Sequence, residues 1–213
     1  MTVARSITVG VVDYQAGNMR SITNAIEHLG ASVLRVVSAD DIKQATHLLL
    51  PGVGAFGFCA ERLVASGLLP ALERWTLHEH RPLLGICVGM QLLAEWSEEL
   101  GHQVGLGWCG GSVRRLEPDL PATRVPHVGW NTVHFEEAFG DYRVGDETDF
   151  YFDHSYAYHA PTLANRTASC VHGQTFCAVV RRGALVAVQF HPEKSQDAGM
   201  RFLRGFLSLQ PNA

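Results

Sequence analysis

The chain has no segment near the roughly 18 continuous apolar residues that a membrane helix needs. It also lacks a charge excess: 17 Lys and Arg against 21 Asp and Glu leave a formal −4, with a pI of about 6.2. That balance excludes the basic footprint that a nucleic acid or an anionic membrane would select, so neither is an expected partner. None of the five cysteines (Cys59, Cys87, Cys109, Cys170, Cys177) forms a C-x-x-C pair. An odd count in 213 residues offers neither a disulfide framework nor a zinc cage, and it fits a reducing, cytoplasmic setting. The N-terminal residues lack the length and the small-residue cleavage site of a secretory leader, which gives the same expectation. Eleven histidines are present but scattered, with no H-E-x-x-H and no acidic or cysteine set beside His78 and His80. No metal site is expected.

What is present is a core-sized apolar fraction, 46% of the residues. The first half alternates strand and helix. Ile7 to Val12, Ser32 to Val37, His47 to Leu50 and Pro82 to Ile86 read as short buried strands. Between them, Met19, Ile22, Ile26 and Leu29 recur at helical spacing before a Gly30 stop, and a further helical region carries Leu63, Leu68, Leu72 and Trp75. This alternation predicts an α/β fold with an open, mostly parallel sheet flanked by helices. From about Gly105 to Phe190 the pattern turns to short alternating segments of antiparallel type: Ser112 to Leu116, Phe150 to Tyr158, Thr167 to Val171, Phe176 to Arg181 and Leu185 to Phe190. A closing helix carries Met200, Leu203, Phe206 and Leu207 on one face. No linker, repeat or charge run divides the chain, so residues 1–213 read as one domain with a mixed sheet.

Three stretches carry chemistry. In Leu84-Gly85-Ile86-Cys87-Val88-Gly89 a buried strand runs into G-x-C-x-G and then an apolar helix, the cysteine version of a nucleophile elbow. A helix N-terminus favours the thiolate there; alone, the pattern fits equally a buried cysteine between packing glycines. His191-Pro192-Glu193 follows the last strand, and the proline limits the freedom of a histidine base and its orienting carboxylate. Alone, it reads as a surface turn. Leu50-Pro51-Gly52-Val53-Gly54 follows a third strand and can aim backbone N–H groups at an oxyanion. It fits a phosphate loop or a plain turn as well, although the absent Gly-Lys-Ser/Thr ending disfavours ATP. All three lie at strand carboxyl ends, where open α/β sheets bind ligands.

Taken in order along the chain, the motifs resemble the class I, triad-type glutamine amidotransferases, and within them the glutaminase subunits that serve imidazole glycerol phosphate synthase. The matching stretches are Asp13-Tyr14 with Ala16-Gly17-Asn18, Leu50 to Gly57, Leu84 to Leu93, Val125-Pro126-His127-Val128-Gly129-Trp130-Asn131, His154-Ser155-Tyr156 and Gln189 to Ser195. The resemblance implies a flavodoxin-like fold, Cys87 as nucleophile, His191 as base and later acid, and Glu193 as orienter. It further implies an oxyanion hole from the N–H groups of Val53 and Val88. Gly54, Gln91, Glu99, Ser155 and Tyr156 would hold glutamine, with Glu98 the neighbouring alternative to Glu99. It implies no cofactor and no metal, and a heterodimer with a (βα)₈-barrel synthase that receives ammonia and makes imidazole glycerol phosphate and an aminoimidazole carboxamide ribotide. Asn18, Trp130 and Lys194 match positions near that interface, although Trp130 reads equally as core.

Departures from the family pattern are Gln15 for a glycine, Asp153 for an aliphatic residue, and the stretch Leu106 to Gly111. They leave the triad intact and leave open a paralogue serving a sugar-amidating synthase. A cysteine hydrolase or peptidase on a similar sheet is disfavoured by Val88, where such enzymes often place histidine. A non-enzymatic binding protein would make all three triad positions decorative.

Overall fold

Residues 7–117, 124–160, 162 and 166–210 are described by a computed structural model. The first half folds as β1 (Thr8–Val12), α1 (Met19–His28), β2 (Ser32–Val36), α2 (Ala39–Gln44), β3 (His47–Gly52), α3 (Phe56–Ala65), α4 (Leu69–Glu73) and β4 (Leu83–Cys87). The short α5 (Val88–Gln91) leads to β5 (Trp96–Ser97), β6 (Gln103–Val104) and β7 (Ser112–Arg115). Then come β8 (His127–Phe135), β9 (Glu147–His154), β10 (Tyr156–His159), β11 (Arg166–His172), β12 (Gln174–Arg182), β13 (Leu185–Val188) and α6 (Gln196–Leu207).

Nine strands form one sheet in the order β2-β1-β3-β4-β13-β12-β11-β8-β9. From β2 to β13 every neighbour is parallel, and from β13 to β9 every neighbour is antiparallel. β3, β4 and β13 are buried along their whole length, which is why they read as unbroken apolar runs. The chain steps outward from β1 to β2 through α1, then back past β1 to β3 and β4. Right-handed crossovers therefore put α1 on the opposite face from α2, α3 and α4. α6 packs Phe202 edge-on to Phe190, which stacks on Phe150 of β9, so one aromatic core ties the last helix to both sheet halves. A second, separately hydrogen-bonded sheet, β10-β7-β5-β6, packs its strand β10 against β12 of the first.

Two readings of the sequence are corrected. The helical region through Leu63 and Trp75 is broken at Gly67, whose φ of +70° ends α3. It resumes at α4 and widens into a π turn over Arg74–His78. Phe150 to Tyr158 is two strands: β9 pairs with β8 in the large sheet, whereas β10 pairs with β7 in the small one. The helix after Cys87 spans only four residues. α2 and β8 were not expected. α2 buries one residue, Ile42, so it has no periodicity to read, although Ser38 and Asp41 cap each other's backbone. β8 carries His127, Asn131, Thr132 and His134, polar residues that mask its alternation.

Candidate active site

Three strand ends converge on the sulfur. Cys87 closes β4 with φ +54°, a conformation rare for a residue with a side chain and one that points to function when the surroundings enforce it. Those surroundings are backbone. A Cβ on Gly89 would lie 1.9 Å from the Leu50 carbonyl oxygen, so only glycine lets α5 sit on β3. A Cβ on Gly52 would meet the Gly89 nitrogen at 2.6 Å and the Tyr14 hydroxyl at 2.9 Å. Tyr14, just past β1, donates to the Pro51 carbonyl at 2.7 Å and thereby ties a fourth strand end to the turn.

His191 leaves the end of β13 and donates its backbone N–H to the Tyr151 carbonyl (2.9 Å). The Ser195 hydroxyl donates to the His191 carbonyl (2.6 Å) and accepts the Tyr151 N–H (3.0 Å), which fixes the turn through Pro192–Lys194. The imidazole Nδ1 lies 2.8 Å from Glu193 Oε1, and the ring lines the same cavity as the Cys87 sulfur. Burial opposes charge on this ring. The hydrogen bonds and negative charge of Cys87 and Glu193 outweigh it and raise the His191 pKa to about 10. The site is therefore set up for an imidazolium facing the sulfur, with a carboxylate holding the other ring nitrogen.

Beside the sulfur is a cavity of about 280 Å³ lined by Val53, Gly54, Cys87, Val88, Gln91, Glu99, Pro126, Asp153, His154, Ser155, Tyr156, His191 and Lys194. The change of sheet between β9 and β10 carries Ser155 and Tyr156 into it. Every expected catalytic, oxyanion and substrate-binding residue lies in this lining except Glu193. That carboxylate stands behind His191, where it lines a small adjacent depression with Asn18.

Comparison with known proteins agrees with this constellation. Residues 10–208 match the sequence profile of the family described as "Glutamine amidotransferase class-I". The chain is 44% identical over 211 residues to the imidazole glycerol phosphate synthase subunit HisH of Zymomonas mobilis, covering 97% of this chain and 98% of that one. It is 41% identical over 212 residues to the HisH subunit of Rhodospirillum rubrum, covering 95% and 99%. The chain belongs to the class-I glutamine amidotransferase family. Within that family it falls among the HisH subunits of imidazole glycerol phosphate synthase, and it is accordingly an enzyme of glutamine hydrolysis. It is also 42% identical to the chloroplastic imidazole glycerol phosphate synthase hisHF of Arabidopsis thaliana, covering 93% of this chain but 34% of that longer protein. A solved glutamine amidotransferase shares the fold at TM-score 0.73 and 22% identity, covering 93% of this chain and 96% of that one. Membership of this family sets aside the peptidase reading.

In this amidotransferase the choice between adjacent acids has a geometric answer. Glu99 lines the cavity and its Oε2 accepts the Phe56 N–H at 2.7 Å, whereas Glu98 turns away to accept the Arg115 N–H at 2.7 Å. Gln91 is buried, and its amide nitrogen is engaged by the Tyr156 carbonyl (2.8 Å) and Gln189 Oε1 (3.1 Å). Trp130 is 48% exposed, so the core alternative for it fails; it stands edge-on to Tyr151 at 6.2 Å. Lys194 reaches over the same Tyr151 ring (5.5 Å) and lies 3.8 Å from the Asp153 carboxylate. Asn18 precedes α1 and donates to the Ser21 hydroxyl at 3.4 Å.

Two residues without an assigned role in the sequence reading stand against this site. Gln189, wholly buried, places its amide nitrogen 3.8 Å from the Cys87 sulfur, and His154 lines the cavity. Both fall within matched motifs, and a polar residue inside an apolar strand end was the available signal. All five cysteines are free and buried. Burial pushes the thiols of Cys59, Cys109 and Cys170 up, to about 11, 12 and 12, and that of Cys177 higher still. No helix among the described residues is long and apolar enough to cross a membrane.

Proposed function

We propose that this chain is the glutaminase subunit of imidazole glycerol phosphate synthase, working in the cytoplasm in histidine biosynthesis, with residues 1–213 as one amidotransferase domain. Glutamine enters the cavity with its α-ammonium at Glu99 and its backbone end held by Gly54, Gln91, Ser155 and Tyr156. The Cys87 sulfur attacks the carboxamide carbon, and the oxyanion forms against the N–H groups of Val53 and Val88. As the first residue of α5, Val88 has no acceptor for its N–H within the helix. His191 gives its proton to the departing nitrogen, ammonia leaves, and a thioester remains. Water, deprotonated by His191, then attacks the thioester and releases glutamate. Glu193 keeps Nδ1 occupied, so the other nitrogen faces the sulfur throughout.

Ammonia passes to a (βα)₈-barrel synthase subunit docked as a heterodimer, with Asn18, Trp130 and Lys194 in the contact. The half-exposed apolar side chains of Val53, Val128 and Trp130 support a protein-binding face at this end of the sheet. The length of the Arabidopsis hisHF protein leaves room for a synthase on the same chain. The observation that carries the proposal is the single cavity uniting Cys87, His191 and the substrate-holding residues. The test is Cys87→Ala assayed with the native barrel partner. Glutamine-dependent synthesis of imidazole glycerol phosphate is expected to vanish while ammonia-dependent synthesis persists. Loss of both would sink the separated-site mechanism, and a partner turning over only sugar precursors would move the chain to the paralogous pathway.

A further inference from the structure

A chain of hydrogen bonds runs from the exposed side of β8, the strand that carries Trp130, inward to the nucleophile, and the neighbours at each link fix which atoms donate. Asn131 Oδ1 accepts the Thr132 N–H (2.8 Å), so its amide nitrogen faces the Val171 carbonyl (2.9 Å) and His127 Nε2 (3.1 Å). A neutral imidazole that accepts at Nε2 carries its proton on Nδ1. That His127 nitrogen lies 3.1 Å from His154 Nε2 and donates to it. His154 must then hold its own proton on Nδ1, which donates to the Tyr156 carbonyl at 2.9 Å. The same carbonyl accepts from Gln91 Nε2, whose other hydrogen goes to Gln189 Oε1. With Oε1 engaged, the Gln189 amide nitrogen is the atom left to face Cys87 Sγ.

Burial keeps both imidazoles neutral, as the chain of donors requires. Desolvation, reinforced by His172, lowers His127 to about 4. Desolvation also lowers His154 to about 3, against its bond to the Tyr156 carbonyl and with repulsion from His127, His172 and His191.

We propose that Gln189 is a further catalytic residue, its buried amide donating to the Cys87 sulfur, that Gln91 is the positioning residue that sets the orientation of that amide, and that His154 and His127 hold the Tyr156 carbonyl on which Gln91 is anchored. The inference rests on Cys87 being the nucleophile. A fixed N–H donor stabilises a sulfur that gains negative charge, whereas a flipped Gln189 would set an oxygen against it. The flip is opposed because it would bring the Gln189 and Gln91 amide nitrogens donor to donor. The other titratable groups facing the sulfur are His191 at the end of β13, Tyr14 past β1 and Cys59 in α3.

The experiment is alkylation of Cys87 by iodoacetamide, followed by peptide mass spectrometry across pH, in the full chain and in Gln189→Met, His127→Phe and the double variant. Gln189→Met is expected to slow alkylation at neutral pH about tenfold and to move the profile to higher pH. His127→Phe, which retains the ring stacking on His172 (3.9 Å) and Phe152 (4.7 Å), is expected to move it the same way by less. The double variant is expected to match Gln189→Met alone, because both act through one amide. A wild-type profile in Gln189→Met, or multiplied effects in the double variant, overturns the proposal. Should Gln189→Met not fold, an unchanged profile in His127→Phe overturns it equally. Absence of preferential alkylation at Cys87 in the wild-type chain instead overturns the nucleophile assignment, a distinct outcome.

Discussion

In the proposed mechanism Glu193 acts on the reaction only through His191. Its Oε1 holds Nδ1, and its Oε2 is buried with no hydrogen-bond partner among the described residues, so little competes for the charge. Glu193→Gln is expected to lower kcat for glutamine hydrolysis by about 10²–10⁴-fold with little change in KM, because the imidazolium loses its stabilising carboxylate. The same substitution is expected to make His191 titrate at lower pH than in the wild-type chain, which NMR of the ring protons will read; an unmoved titration would remove Glu193 from the role. For the neighbouring acids, Glu99→Gln is expected to raise KM for glutamine about 10–100-fold, the loss of one charge-assisted contact. Glu98→Gln, which lies away from the cavity, is expected to stay within about twofold. Steady-state kinetics with both variants settles the pair. The proposed triad was legible because each of its residues sits in a motif with its own mechanical reason. The choice between Glu98 and Glu99 was not, since adjacent residues in a turn point in different directions and only the packing of α3 against that turn selects one.

At the scale of elements, the nucleophile's geometry depends on how closely α5 lies on β3. Gly89→Ala would drive a methyl group into the Leu50 carbonyl, backbone against backbone, and is expected to cost about 3 kcal/mol, or to displace Cys87 and abolish turnover. Thermal melting together with a glutaminase assay checks this; an unchanged Tm and rate would show that the turn is looser than described. The parallel half of the sheet was readable because strands covered on both faces must be apolar throughout, as Leu83–Cys87 and His47–Gly52 nearly are. The break at Ser155 was not readable. Phe150 to Tyr158 has no Gly or Pro to mark a boundary, and its division at Asp153-His154-Ser155 comes from β8 and β7 pairing with its two ends. That division delivers Ser155 and Tyr156 to the cavity. β8 stayed hidden because the residues of its relay, His127 and Asn131, are polar for a reason that local pattern does not contain.

Over the whole molecule the buried histidines pull stability in opposite directions with pH. His191 has a folded pKa raised above the ordinary 6.5, so its contribution is complete below 6.5 and is lost as pH rises toward about 10. His127 and His154 have folded pKa values lowered to about 4 and about 3, so between those values and 6.5 the unfolded chain binds protons that the folded chain refuses. Their effect is a loss of stability as pH falls below 6.5. Urea denaturation is expected to show the midpoint dropping from pH 6.5 toward 4, with a shallower drop in His127→Phe; equal slopes would mean that His127 is charged in the folded chain. The sequence by itself determined the α/β class and the parallel half, and it marked the turns at Cys87 and His191, because burial on both faces and sharp turns each demand particular residues locally. Only the tertiary structure decided which of the two adjacent acids lines the cavity, where a continuous run changes sheets, and how Asn131 is connected to Cys87. Those are relations between residues far apart in the chain, and the pairing of strands, not local preference, brings them within hydrogen-bond distance.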